Sequence, residues 1–328
     1  MPFFCRADGS LPVSRILKNR ARALFLLIIM GFMAAPACAT EPTRFFHSGD
    51  GAIQLVSEKN GKRFSGRYRQ ADGQYDTDAL KAIAGVFGAP HDPSRPVLSL
   101  RLIEFLDFLQ DCLKPGALLT ITSGYRAPQY NANLRKRGAL AAKASLHQYG
   151  MAADIVMQGV DSKRVWETIR GLGFGGAGYY HGRTVHVDVG PARFWDEKTS
   201  GVGSGLSDDN KLIGVVTDYD AYRPGGMVRL RFIRMTAFPI GVRAAFWLVS
   251  AEQPDGADGA IPIKVDVGPT DAADCGQFND IDQMAALDGR LPVDIRPGRY
   301  RIRAAFCDSS WDEMPETVST PEFEVRMP

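Results

Sequence analysis

Apolar residues recur along this chain with two different periods, and the change of period divides it. Between residues 76 and 172 the helical period prevails. Leu80, Ile83, Ala84 and Phe87 fall on one face of a helix that Asp76 or Asp78 caps. The Pro-rich stretch from Pro90 to Pro96 breaks it. A second helix follows Ser99, with Leu102, Leu106, Leu109 and Leu113 on one stripe, and Lys114-Pro115-Gly116 closes it. Residues 131–136 and 162–172 read as two further helices.

Short strands separate these helices. Leu118 to Thr122 is one, leading into Ser123-Gly124-Tyr125-Arg126. Gly150 turns the chain into Ala152-Ala153-Asp154-Ile155-Val156, a buried strand with a carboxylate in its middle. Such a carboxylate is costly to bury unless paired or metal-bound. Val185-His186-Val187-Asp188-Val189 alternates strictly, so the valines face one side while His186 and Asp188 face the other together. His181-Gly182 reads as the tip of the hairpin before it. These elements predict an α+β unit over 40–198, a small antiparallel sheet with helices on one face.

After Lys198 the pattern changes. Residues 200–207, Ser-Gly-Val-Gly-Ser-Gly-Leu-Ser, have the composition of a flexible linker, which we place at 199–210. Beyond it alternation of period two takes over. Val228, Leu230 and Phe232 oppose Arg229 and Arg231, and Tyr300, Ile302, Ala304 and Phe306 oppose Arg301 and Arg303. With runs at 242–249, 261–267 and 323–327, five or more strands predict an all-β, immunoglobulin-like sandwich over 211–328, an accessory module.

Composition narrows the class. The chain has 328 residues, 45% hydrophobic and 23% charged, which suits a globular protein of two domains. Its formal charge of +2 owes much to the N-terminus. Arg6, Arg15, Lys18, Arg20 and Arg22 precede the apolar run Ala23 to Met33, and Ala37-Cys38-Ala39 offers small residues for cleavage. Residues 1–39 therefore read as a signal peptide, with no stable membrane anchor expected after cleavage. The remaining basic residues are dispersed, so no nucleic-acid partner is expected. Of the cysteines beyond residue 39, Cys275 and Cys307 share one region and can form a disulfide, while Cys112 reads as a buried thiol on an apolar helix.

Only five histidines occur in the chain, and two lie in short segments beside acidic residues: Ser145 to Asp154, and Val185 to Asp188. Two imidazoles and a carboxylate, with a fourth position left to water, make the ligand set of a hydrolytic zinc site. Zinc lowers the pKa of water to about 7 and polarises a carbonyl, which makes amide hydrolysis feasible at neutral pH. The H-E-x-x-H helix of other zinc peptidases is absent.

Five motifs here resemble those of the D-Ala-D-Ala metallopeptidases and murein endopeptidases of the lysostaphin and hedgehog-like zinc fold, in their YcbK-type branch. They are Ser123-Gly124-Tyr125-Arg126, the His147 to Asp154 motif, Gly178-Tyr179-Tyr180, Val185 to Gly190, and Arg193-Phe194-Trp195. The resemblance covers residues 45–197. It implies His147, Asp154 and His186 as ligands of Zn2+, Arg126 in contact with substrate, and peptidoglycan peptides as the substrate of an exported, periplasmic or cell-envelope enzyme. Asp188 and His181 are both candidates for the general base, and Asp188 can instead fix the tautomer of a ligand imidazole. One of Tyr179 and Tyr180 is expected to line the cleft. A noncatalytic zinc-stabilised module that binds wall or a protein partner is the alternative, because it shares the ligands.

Overall fold

The computed structural model describes residues 44–92, 94, 96–138, 141–199, 205–252, 259–271, 273–307 and 311–327. The expected signal peptide and residues 200–204 of the expected linker lie outside these residues. The fold mixes helices and strands as the two periods require. The first half contains β1 (Ala52–Ser57), β2 (Arg63–Arg67), α1 (Thr77–Phe87), α2 (Leu100–Leu113), β3 (Leu119–Ser123) and α3 (Pro128–Lys136). A 3-10 turn at Leu146–Tyr149 follows, then β4 (Ala152–Met157), α4 (Ser162–Leu172), β5 (Gly176–Tyr179), β6 (Val185–Asp188) and β7 (Arg193–Asp196).

Local chemistry sets the helix ends. The Asp76 carboxylate accepts from the backbone N–H groups of Asp78 and Ala79, and Gly88 ends α1 in the left-handed region at φ 69°. Pro128 sits at the start of α3, where its missing N–H costs nothing. The stripe read on α2 is the core contact: Leu102, Leu106 and Leu109 are fully buried, joined by Phe105. Cys112, one turn further, is half-buried rather than buried.

The sheet is larger than expected and it is mixed. Seven strands lie in the order β2-β1-β3-β4-β6-β5-β7, and β1–β3 and β5–β7 run parallel. The parallel pair β1–β3 is possible because α1 and α2 fill the long crossover between the two strands. β2 escapes a search for apolar alternation because, as an edge strand of Arg-Phe-Ser-Gly-Arg, it is almost wholly exposed.

The second half is all β among its regular elements apart from short 3-10 turns. It contains β8 (Gly214–Thr217), β9 (Ala221–Tyr222), β10 (Met227–Ile233), β11 (Ile240–Arg243), β12 (Ala245–Ser250), β13 (Ile261–Lys264), β14 (Cys275–Phe278), β15 (Leu287–Arg290), β16 (Gly298–Ala305), β17 (Thr317–Ser319) and β18 (Phe323–Val325). One sheet has the order β15-β10-β8 and a larger one the order β13-β12-β16-β18-β9. Val228, Leu230 and Phe232 are fully buried, as their alternation predicts. Cys275 and Cys307 are bonded to each other. Among the described residues no helix is long and apolar enough to cross a membrane.

The two halves share buried polar contacts. Arg101 on α2 is buried and pairs with Asp220 at 2.7 Å, while its Nη1 donates to the Thr217 carbonyl at 2.9 Å. Arg231 on β10 donates to the carbonyls of Pro96, Val97 and Tyr149. The Met235 N–H donates to the Tyr149 hydroxyl at 3.0 Å. Tyr149 closes the 3-10 turn that carries His147, so the second half buttresses that turn from outside the sheet.

Candidate metal centre

Strand register builds the site. β4 and β6 pair antiparallel with Asp154 directly opposite His186. Opposite residues of such a pair project to one face with their Cβ atoms about 4.5–5.5 Å apart. The valines of β6 are therefore buried in the core while His186 and Asp188 share the other face, as the alternation requires. The 3-10 turn brings His147 to the same place. Gly150 ends that turn at φ 61°, and a Cβ there would lie 2.3 Å from the Val97 carbonyl oxygen, so both conformation and space call for glycine.

His147, Asp154 and His186, all buried, present one ligand atom each within 4.8 Å of one another. His147 donates from Nδ1 to the Gly124 carbonyl at 2.7 Å, which leaves Nε2 facing Asp154 at 3.5 Å. His186 turns Nδ1 to Asp154 Oδ1 at 3.0 Å and Nε2 to Asp188 Oδ2 at 3.0 Å. Each imidazole thus has one nitrogen held from behind and the other aimed at the shared carboxylate. That is the pattern in which partners fix tautomer and ring orientation at a metal site. The donor set of two imidazole nitrogens and a carboxylate oxygen fits a divalent metal of zinc's borderline character.

Burial pushes the His147 imidazole below its usual pKa, which keeps a lone pair on it at neutral pH. Burial would also lower His186, but Asp154 and Asp188 outweigh it and raise the group. Burial would raise Asp154, yet the two imidazoles hold its carboxyl well below the usual range.

The other candidates separate clearly. Arg126 donates from Nη2 to Asp154 Oδ2 at 2.9 Å and from Nε to the Ser123 hydroxyl at 3.0 Å, so it borders the cluster. Asp188 lies on the far side of the His186 ring from Asp154. It is fully buried and occupied: Arg193 Nη1 reaches its two oxygens at 2.9 and 2.7 Å, and the Gly190 N–H donates to it at 3.0 Å. His181 sits at the hairpin tip with φ 58°, its side chain 39% exposed, its Nε2 2.7 Å from Asp196 and its ring against Tyr179. Of the two tyrosines, Tyr180 faces the cluster and donates to Asp154 Oδ1 at 3.2 Å. Tyr179 packs instead on Trp166 of α4.

Two glycines and a tryptophan complete the wall, and residue-type reasoning did not assign them a part. Gly178 pairs with His186 on one side and Trp195 on the other. A Cβ at Gly178 would lie 2.5 Å from the Trp195 ring, which crosses above it to meet His186 at a ring separation of 4.8 Å. A Cβ at Gly176 would lie 2.2 Å from the Asp188 carboxylate. Composition reads residues 173–178 as a Gly-rich turn, but from Gly176 onward the chain is strand β5, and its bareness makes room for the groups around His186. Two such glycines at a spacing of two were the available signal.

Comparison with known sequences places this geometry. Residues 49–195 match the family described as peptidoglycan L,D-endopeptidase MepK, a span that holds every residue of the cluster. The match is confined to the first half of the chain. The peptidoglycan L,D-endopeptidase MepK of Escherichia coli strain K12 is 36% identical over 95 residues, which is 29% of this chain and 52% of the relative. The protein of that name in Shigella flexneri matches to the same extent. The probable peptidoglycan L,D-endopeptidase MepK of Haemophilus influenzae is 38% identical over 81 residues, 24% of this chain and 44% of the relative. The chain spans about half the length of the curated relatives it matches.

Proposed function

We propose that this chain is a zinc-dependent peptidase that hydrolyses amide bonds in peptidoglycan stem peptides or their crosslinks, acting in the cell envelope. The observation that carries the proposal is the buried cluster of His147, Asp154 and His186, with both imidazoles oriented by partners behind them. The disulfide between Cys275 and Cys307 supports an oxidising compartment.

His147, Asp154 and His186 would hold the metal, through the imidazole nitrogens and carboxylate oxygen that face one another. Bound zinc supplies a Lewis acid for the scissile carbonyl and makes water nucleophilic at neutral pH. Arg126 and Tyr180 present N–H and O–H donors beside Asp154, suited to orienting a substrate carbonyl and to binding the negative charge that grows on its oxygen. Asp188 is a positioning residue: it holds His186 in the tautomer that frees Nδ1, and Arg193 keeps it charged. Of the two candidates for proton transfer to the leaving amine, His181 is the accessible one, and its ring lies against Tyr179 and Asp196 rather than in contact with the cluster.

We read residues 40–198 as the peptidase domain, 199–210 as a linker and 211–328 as an immunoglobulin-like sandwich. Two antiparallel-rich sheets support the last assignment. Incubating the purified, zinc-loaded chain with intact sacculi and identifying released muropeptides by mass tests the function. Products shortened or uncoupled at a peptide bond are expected, while sacculi bound but left intact would favour a binding module.

A further inference from the structure

Tyr125 and Gln148, one residue along the chain from Arg126 and His147, line a cavity of about 330 Å3. Its other walls come from the segment around Pro96 and Val97 and, from the second half of the chain, from Arg229, Arg231 and the loop of Ile281 to Ala286. The volume lies at the lower end of the range of small-ligand sites, ~300–1,000 Å3.

Its chemistry is uneven in a way that packing alone does not require. The Arg231 guanidinium donates to the carbonyls of Ala285 at 3.2 Å, Val97 at 3.3 Å, Tyr149 at 2.6 Å and Pro96 at 3.1 Å. These partners are dipoles, so they satisfy four of its five N–H groups without a direct ion pair, while Asp218 acts on it from a distance. Arg229 beside it is neutralised by Asp288 at 2.7 Å. Asp282 is exposed on the facing loop, and Ile281, Ala285, Ala286 and Val97 supply apolar surface. A cation, the carboxylates of Asp282 and Asp92, which also lines the cavity, and an apolar strip within one small cavity match a short zwitterionic peptide.

We propose that this cavity is a subsite for one arm of the substrate, a short peptide segment with a free carboxylate directed to Arg231 and a free amine directed to Asp282. The proposal rests on the peptidase reading and adds that the second half of the chain selects the peptide that the first half cuts. The family match ends at residue 195, so Arg231 and Asp282 lie outside the shared segment.

The full-length, zinc-loaded chain tests this with Ala286→Trp, which fills the cavity, and Asp282→Asn, which removes the carboxylate assigned to the amine. On a soluble crosslinked muropeptide dimer, Ala286→Trp should raise KM about tenfold or more, with kcat within about twofold and zinc content and melting temperature unchanged. Asp282→Asn should raise KM several-fold, and acetylating the substrate's free amines should cost the parent protein as much while costing this variant nothing further. Unchanged KM in both variants would overturn the proposal. If the parent cuts no peptide, calorimetric binding of a free stem tripeptide decides: binding lost in Ala286→Trp sustains the subsite while the peptidase reading falls, and equal binding or none overturns the subsite.

Discussion

Replacing Asp188 with Asn separates orientation of a ligand from proton transfer. The carboxylate accepts from His186 Nε2, from Arg193 and from the Gly190 N–H, and it is fully buried. An amide of the same shape has one acceptor oxygen. If that oxygen keeps Arg193 and Gly190, the NH2 group points at His186 Nε2 and drives the proton to Nδ1, the nitrogen needed for metal. If it keeps His186, the NH2 group meets two donors. Either way one charge-assisted hydrogen bond is lost, about 1.5–3 kcal/mol. Loss of a partner behind a metal-bound imidazole costs about 10–100-fold in metal affinity, or ~1.4–2.7 kcal/mol, so two independent estimates agree. Zinc affinity is measured by competition with a chromophoric chelator, and kcat on muropeptides at saturating zinc. Asp188→Asn should weaken zinc by that factor and recover most of its turnover when zinc is in excess. His181→Ala should keep its zinc and lose turnover. The reasoning is refuted if Asp188→Asn binds zinc as the parent does yet has no turnover, for then Asp188 moves the proton.

Three further outcomes follow from packing and charge. Burial pushes the Asp107 carboxyl up to about 7, and its Oδ1 has no hydrogen-bond partner. A carboxyl raised in the folded state contributes stability that is complete below its unfolded pKa and is lost as pH rises through about 7. Between pH 5.5 and 8.5 the parent should therefore lose about 2 kcal/mol more than Asp107→Asn in urea melts, and parallel curves would sink this assignment. Gly178→Ala places a methyl within the Trp195 ring and should destabilise by about 1–3 kcal/mol while weakening zinc, with an unshifted melting temperature as the contrary result. Tyr149→Phe removes the acceptor of the Met235 N–H and should cost about 1–3 kcal/mol in the same melts; no loss would mean that the second half does not brace the ligand turn there.

What was legible in the sequence tracks how local the physics is. The α2 stripe, the Asp76 cap and the alternation of β6 depend on neighbours a few residues apart, and each appears where the pattern put it. The convergence of His147 with Asp154 and His186 depends on strand register and on the turn between them, and it was legible only because five short motifs resemble a family. The mixed sheet was not legible, because β2 is an exposed edge with little apolar signal and parallel pairing leaves none. Nor were the contacts between halves. Arg101 and Arg231 look like ordinary charges at surface positions of a helix and a strand, and only the folded chain shows what they bind. Gly176 and Gly178 matter for what they leave out, and composition reads them as a turn.

The central claim is that one metal held by His147, Asp154 and His186 makes this chain a peptidase. Stripping the purified protein of metal and titrating zinc back while following muropeptide hydrolysis tests it most directly. The account predicts no hydrolysis without metal, a rise that ends at one equivalent of zinc, and neither tight zinc binding nor hydrolysis in Asp154→Ala. Full activity in the stripped protein, or one tightly bound zinc with no peptide cut, would contradict it.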